Sequence, residues 1–132
     1  MSNFYDSYQS PFSWRYGSVK MRQIFSEVNK RKTWRKVWAA LARAQNQMGL
    51  VSKAELEDIV KNQNNIDIDS AHKFEHDLKH DLMAEVMTYA AQAKIGGGKI
   101  HLGATSQDIE DNADAINFKA ALEIIEKQLK NL

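Results

Sequence analysis

Apolar residues recur three and four positions apart along most of the chain, and nowhere do they alternate in twos over a sustained run. That period predicts helices rather than strands, so the expected fold class is all-α. Met21, Ile24, Phe25 and Val28 fall on one helical face, continued by Trp34, Val37, Trp38, Leu41 and Ala42 as far as Gly49, a residue suited to ending a helix. Ser52-Lys53-Ala54-Glu55 has the form of a capping box, in which the serine oxygen accepts from the backbone three residues on and the glutamate reaches back. Leu56, Ile59 and Val60 follow as a buried stripe, and the polar stretch from Asn62 to Asp69 predicts a loop. Phe74 and Leu78, then Leu82, Met83, Val86, Met87 and Ala90, predict two more helical segments with Lys79-His80-Asp81 near their junction. Gly96-Gly97-Gly98 lacks the strand and helix frame of a phosphate loop and is expected to be a flexible connection.

The last helix keeps an apolar face, Ile109, Ala113, Ile116, Ala120, Ile124 and Leu129, up to the final residues. A helix of that length with one apolar side requires something to cover it. Two arrangements satisfy this: a hairpin packed on the preceding helices, or the first part of a longer bundle helix. The expected division is a helical domain over residues 1–106 and the start of a central bundle helix over 107–132, the chain being a fragment that is neither active nor a clean monomer alone.

Composition narrows the chemistry. The absence of cysteine excludes disulfide scaffolds, thiolate metal sites and cysteine nucleophiles. The basic run Lys30-Arg31-Lys32-Thr33-Trp34-Arg35-Lys36 suggests a nucleic-acid surface, but 18 Lys+Arg are balanced by 17 Asp+Glu, a net charge of +1. Trp34 and Trp38 are in phase with Val37 and Leu41, which puts them on the buried stripe and leaves the basic residues as a solvated face. No nucleic-acid partner is expected. The opening Met1–Asp6 has neither a basic nor an apolar leader region, and no apolar run reaches membrane-spanning length, so the expected setting is cytoplasmic without a membrane partner.

The candidate chemistry lies in three places. His80 carries an imidazole that titrates near neutrality and can donate to an anion or a leaving group, with Lys79 and Asp81 as neighbours of opposite sign. His76, four residues earlier, gives a weak metal-ligand spacing, but no third ligand stands out, and no metal is expected. Thr105 and Ser106 open the last helix, where unpaired N–H groups and the positive end of the dipole suit a carboxylate; Gly103 and Ala104 allow close approach to the backbone. His101, in a short apolar entry to that turn, reads as structural and hydrogen-bonded. Arg15-Tyr16 joins a fork-shaped cation to a phenol, a pair able to grip a phosphate.

These motifs, in this order, resemble the adenylosuccinate lyase family of the fumarase/aspartase superfamily. The matching elements are Arg15-Tyr16-Gly17-Ser18-Val19-Lys20-Met21, Thr33-Trp34-Arg35, Gly49-Leu50, Lys79-His80-Asp81, and His101 to Ser106, which together cover nearly the whole chain. The resemblance implies elimination of fumarate from adenylosuccinate, giving AMP, and from the succinyl-carboxamide ribonucleotide of purine biosynthesis. It implies no metal or organic cofactor, a nucleotide substrate, and a homotetramer whose active sites are shared between subunits. By the same resemblance Arg15 and Tyr16 bind the nucleotide phosphate, Lys79, His80 and Asp81 line the substrate pocket, and Thr105 and Ser106 bind the succinyl carboxylates. His80 is then an auxiliary catalytic residue, since the family's proton-donating histidine and its Ser-Ser-x-Met-x-x-Lys-x-Asn loop match nothing here. Lys79 stands where the family usually has arginine, keeping the charge but not the fork. The alternatives are a cycloisomerase-like member of the superfamily, which Gly103-Ala104-Thr105-Ser106-Gln107-Asp108 also resembles, and a non-catalytic helical interaction module.

Overall fold

The structure, a computed structural model, describes residues 10–131. The opening Met1–Asp6, read above as carrying no targeting signal, lies outside the described residues, as does Leu132. The described residues contain helices and turns and no strand. A π-helical turn, Phe12–Tyr16, precedes α1 (Val19–Ile24); α2 (Glu27–Gln47), α3 (Lys53–Asn62), α4 (Ile68–Leu78), α5 (Asp81–Gln92) and α6 (Ser106–Leu129) follow, with a short 3-10 turn at Gly97–Lys99.

The helix boundaries are set by short polar side chains. Ser26 Oγ donates to Gln23 O at 2.8 Å and accepts from Asn29 N–H at 3.3 Å. By capping α2 it breaks the stripe expected to run on from Met21, leaving Phe25 and Val28 exposed. Gly49, at φ 75°, ends α2 as its sequence position predicts. The Ser52–Glu55 capping box is present in both directions. Asp67 caps α4 through Ser70 N–H at 3.0 Å, and Lys79, at φ 54°, ends it in the left-handed conformation.

The core forms around α2. Trp34, Trp38, Ala39 and Ala42 meet Ile59 of α3, Leu82 and Tyr89 of α5, and Ile109 and Ala113 of α6. Both tryptophans are buried, as their phase requires. The basic run is a solvated face only in part: Lys32 and Lys36 are exposed, but Arg31 and Arg35 are 2% and 0% exposed. Their partner is Glu85 on α5, also 0% exposed, whose two oxygens accept from Arg35 Nε at 2.6 Å and from Arg31 Nη1 at 3.0 Å. Arg35 also donates to Asn62 O, Asn65 O and Gln92 Oε1 at 2.7–3.0 Å, and its guanidinium lies 4.3 Å from the centre of the Tyr89 ring. One buried arginine thus closes the carbonyls at the end of α3 and holds α2 to α5, which is why its charge tolerates burial.

Gly96 and Gly97 form a tight approach rather than a flexible connection. A Cβ on Gly96 would lie 2.3 Å from Glu55 O, and one on Gly97 would lie 2.7 Å from Ala90 O. Asp58 Oδ2 accepts from Ile95 N–H at 2.7 Å and Gly96 N–H at 3.0 Å, fixing the turn onto α3.

Helix α6 has two apolar faces rather than one. Ile109, Ala113 and Ala121 pack inward together with Asn117, whose Oδ1 accepts from Asn29 Nδ2 at 3.1 Å and Thr33 Oγ1 at 3.2 Å. Of the stripe expected to lack cover, Ile109 and Ala113 are therefore covered by α2, whereas Ile116 and Leu129 are exposed. The open face is Phe118, Leu122, Ile125 and Leu129, spaced four, three and four residues apart as in a coiled-coil seam. No helix among the described residues is long and apolar enough to cross a membrane.

Candidate functional site

The α4–α5 junction turns within two residues, and this turn presents the chemistry. Lys79 ends α4 and His80 caps α5, its Nδ1 accepting from Met83 N–H at 3.4 Å. Asp81 begins α5 and accepts from Leu82 N–H at 2.8 Å and from Lys30 Nζ of α2 at 2.9 Å. His80 and Asp81 meet only loosely, at 4.0 Å. Burial works to raise the Asp81 carboxyl, but the Lys30 hydrogen bond and charge outweigh it and hold the group below the usual carboxylate range. Because the chain breaks at Lys79, His76 and His80 do not share a helix; His76 Nδ1 contacts Asp77 Oδ1 at 3.0 Å instead. Among the described residues no cluster of three or more His, Asp or Glu is arranged to hold a metal.

The start of α6 faces this turn. Glu110 is raised above the ordinary glutamate range first by burial and then by the Asp81 charge, with Lys30 and His80 opposing. His101 is lowered chiefly by burial, with His80 adding repulsion. His80, Asp81, Lys30, Glu110 and His101 therefore lie within electrostatic reach of one another. Thr105 is the N-cap of α6 and Ser106 its first residue. Thr105 N–H is occupied by Asp108 Oδ2 at 2.9 Å, the return half of a capping box. The next N–H groups, on Ser106 and Gln107, belong to the turn that no helix satisfies internally and are the donors left for an anion. His101, at φ 68°, accepts from Trp38 Nε1–H on its Nδ1 at 3.2 Å, a hydrogen-bonded structural role.

Lys30 connects two recesses. One, of about 560 Å³, lies between α2 and α4 and is lined by Arg31, His72, Glu75, His76 and Lys79 as well as Lys30 and Asp81. The other, of about 350 Å³, lies between α2 and α6 and includes Trp34, Gln107, Glu110, Asp111 and Asp114. Neither Lys30 nor Glu110 is marked by the sequence, because their importance comes from contacts between helices distant in the chain. Arg31, Arg35 and Glu85 carried a readable signal: each is in phase with the buried residues of its own helix, Trp34 and Trp38 in one case, Leu82 and Tyr89 in the other.

Arg15 and Tyr16 lie elsewhere. Arg15 stacks 4.5 Å from the Trp14 ring and Tyr16 is exposed. Their turn leads into α1, whose first residues Val19 and Lys20 line a recess with Ile124 and Lys127 of α6. At ~1.5 Å per residue, Ile124 is about 27 Å along the helix from Ser106. The structure therefore brings His80 and Asp81 towards the beginning of α6, leaves Lys79 on the recess between α2 and α4, and places the Arg15–Tyr16 turn near the other end of α6.

What the fold defines is a helical domain in which Lys30 joins two polar recesses, Lys79 and Asp81 lining one and the start of α6 the other. No family model matches the chain. It is 40% identical to the adenylosuccinate lyase of Saccharomyces cerevisiae over 132 aligned residues, which span 97% of the chain and 27% of the yeast protein. It is 38% identical to the adenylosuccinate lyase of Methanocaldococcus jannaschii over 125 residues, 92% of the chain and 27% of that protein. The enzyme of Schizosaccharomyces pombe gives 37% over 133 residues, 97% of the chain and 27% of that protein. By sequence the chain belongs to the adenylosuccinate lyase family, and it spans about a quarter of the length of the curated relatives it matches.

Proposed function

We propose that this chain supplies part of a cytoplasmic lyase that eliminates fumarate from adenylosuccinate, giving AMP, and from the related succinyl-carboxamide ribonucleotide of purine biosynthesis. The observation carrying this reading is that Lys30 joins the recess lined by Lys79 and Asp81 to the one lined by Gln107 and Glu110 at the start of α6, with His80 and Asp81 in electrostatic reach of Glu110. In such an elimination a base removes the proton on the carbon beside a carboxylate, and the C–N bond breaks as an acid protonates the departing nitrogen. Negative charge then grows on the carboxylate, where fixed donors lower the barrier most. Ser106 and Thr105, with the open N–H groups of the α6 first turn, hold that carboxylate. Lys79 supplies a neutralising charge and His80 a ring N–H donor, while the principal acid and base come from outside these 132 residues.

Arg15 and Tyr16 grip the nucleotide phosphate in the site of another copy, a reading supported by their position near the far end of α6. The open seam of Phe118, Leu122, Ile125 and Leu129 supports assembly into a homotetramer through a shared bundle, with residues 1–106 as the outer domain and 107–132 as the first bundle helix. Antiparallel pairing of two such helices brings the arm of one copy beside the Thr105–Ser106 end of the other. Leu122→Glu should abolish that assembly in light scattering while leaving helix content unchanged.

The test of activity is fumarate release from adenylosuccinate, followed by purine absorbance, in the longest polypeptide that carries this sequence. Turnover supports the reading. Turnover of a carboxymuconate-type substrate instead assigns the chain to the cycloisomerase branch, and binding of neither leaves a non-catalytic helical module.

A further inference from the structure

Asp81 directly follows His80 in sequence and carries an acceptor that its imidazole could use, yet the two are 4.0 Å apart. The carboxylate is drawn away on both oxygens: Lys30 Nζ holds Oδ2 at 2.9 Å and Leu82 N–H holds Oδ1 at 2.8 Å. Lys30 is itself fixed, its ammonium 4.6 Å from the centre of the buried Trp34 ring. With Asp81 engaged, His80 Nδ1 accepts from Met83 N–H at 3.4 Å and completes the cap of α5. A nitrogen that accepts an amide proton carries none of its own, so the ring proton of the neutral imidazole resides on Nε2. The side chain is about half exposed, and among the described residues no protein group bonds Nε2. The other charged or titratable groups near the ring are Glu110 of α6 and His101.

We infer that Lys30 is a positioning residue that, by taking the Asp81 carboxylate, keeps the half-exposed His80 ring in the Nε2–H tautomer, so that its outward nitrogen is a hydrogen-bond donor. Without Lys30, the Asp81 carboxylate is released to accept from Nδ1–H. The proton then leaves Nε2, and the outward nitrogen becomes an acceptor that repels a bound carboxylate. That the donor serves a carboxylate rests on the fumarate-eliminating reading; the tautomer does not.

Nitrogen NMR of the His80 ring at neutral pH tests this, because protonated and bare ring nitrogens resonate far apart. The unaltered chain should show a bare Nδ1 and a protonated Nε2. Lys30→Gln should shift the population several-fold towards Nδ1–H, Lys30→Arg should keep the original tautomer, and Lys30→Gln combined with Asp81→Asn should restore it. Fumarate, used as the probe, should perturb Nε2 several-fold more weakly in Lys30→Gln than in the unaltered chain. If fumarate perturbs His80 in no variant while the tautomer shifts as expected, the carboxylate-binding role given to His80 by the lyase reading fails and the positioning role stands. An unchanged tautomer in Lys30→Gln, or Nδ1–H in the unaltered chain, overturns the positioning role whether or not fumarate binds; the second comparison holds even if Lys30→Gln loses helix content.

Discussion

The turn at Lys79-His80-Asp81 and the turn at Arg15-Tyr16 carry similar chemistry, a cation beside an aromatic or heteroaromatic ring, but rest on different supports. The first is joined to the core by α5, whose Leu82, Ala84, Glu85, Thr88 and Tyr89 are buried. The second belongs to an arm in which neither the π-helical turn nor α1 buries a residue. Geometry that the chain imposes on itself can serve a site at once. Geometry without a core beneath it is set by whatever the arm meets, so only the first turn is organised by these residues alone.

The strongest way to break this contrast is Glu85→Ala. It leaves Arg35 buried without a counter-charge and Arg31 with only the half-exposed Glu27 and Glu75, at 3.4 and 3.6 Å. A buried charge stripped of its partner typically costs about 3–5 kcal/mol, and denaturant unfolding should report a loss of that size. A loss below ~1 kcal/mol would show that water or other groups already compensate the arginines.

Ser106→Ala comes next. A lost hydrogen bond to a charged group costs about 1.5–3 kcal/mol, against roughly 1 for a helix cap alone. The succinyl substrate should lose that affinity in calorimetry while AMP loses little; equal losses would reduce Ser106 to a helix-end residue.

A smaller effect belongs to His101. Burial lowers its pKa, and Trp38 Nε1–H needs its Nδ1 bare, so the folded chain binds fewer protons than the unfolded chain between the folded value and the ordinary ~6.5. The resulting stability is fully present above that ordinary value and is lost as pH falls through the folded one. Unfolding midpoints should therefore drop on acidification below about pH 6.5, and His101→Asn should flatten this part of the profile.

Arg15→Ala should have the least effect on the isolated chain, within about 0.5 kcal/mol in the same unfolding assay, because nothing in the arm is buried. A larger loss would mean that the arm is held by the core after all.

What was legible in the sequence is what depends on neighbours within one or two turns. The Ser52–Glu55 box, the stop at Gly49, the phase of Trp34 and Trp38, and the break at Lys79 are all local consequences of capping and periodicity. That Arg31, Arg35 and Glu85 face inward could have been read from their phase, but which of them pair could not, because Glu85 lies 50 positions from Arg35 and only the packing of α5 on α2 joins them. The same holds for Lys30 and Asp81, 51 positions apart, and therefore for how His80 is held. The open face of α6 was misplaced because apolar residues lie on several sides of that helix, and only the fold decides which of them α2 covers.

Gly96, Gly97 and Gly98 are identical in the sequence but face different futures under mutation. Every missense change in a glycine codon adds at least a Cβ, since no other residue lacks one. At Gly96 that atom meets the backbone of α3, at Gly97 the backbone of α5, and at Gly98 open space. A saturation library across the three codons should therefore be depleted of nearly every variant at the first two and keep most of them at the third.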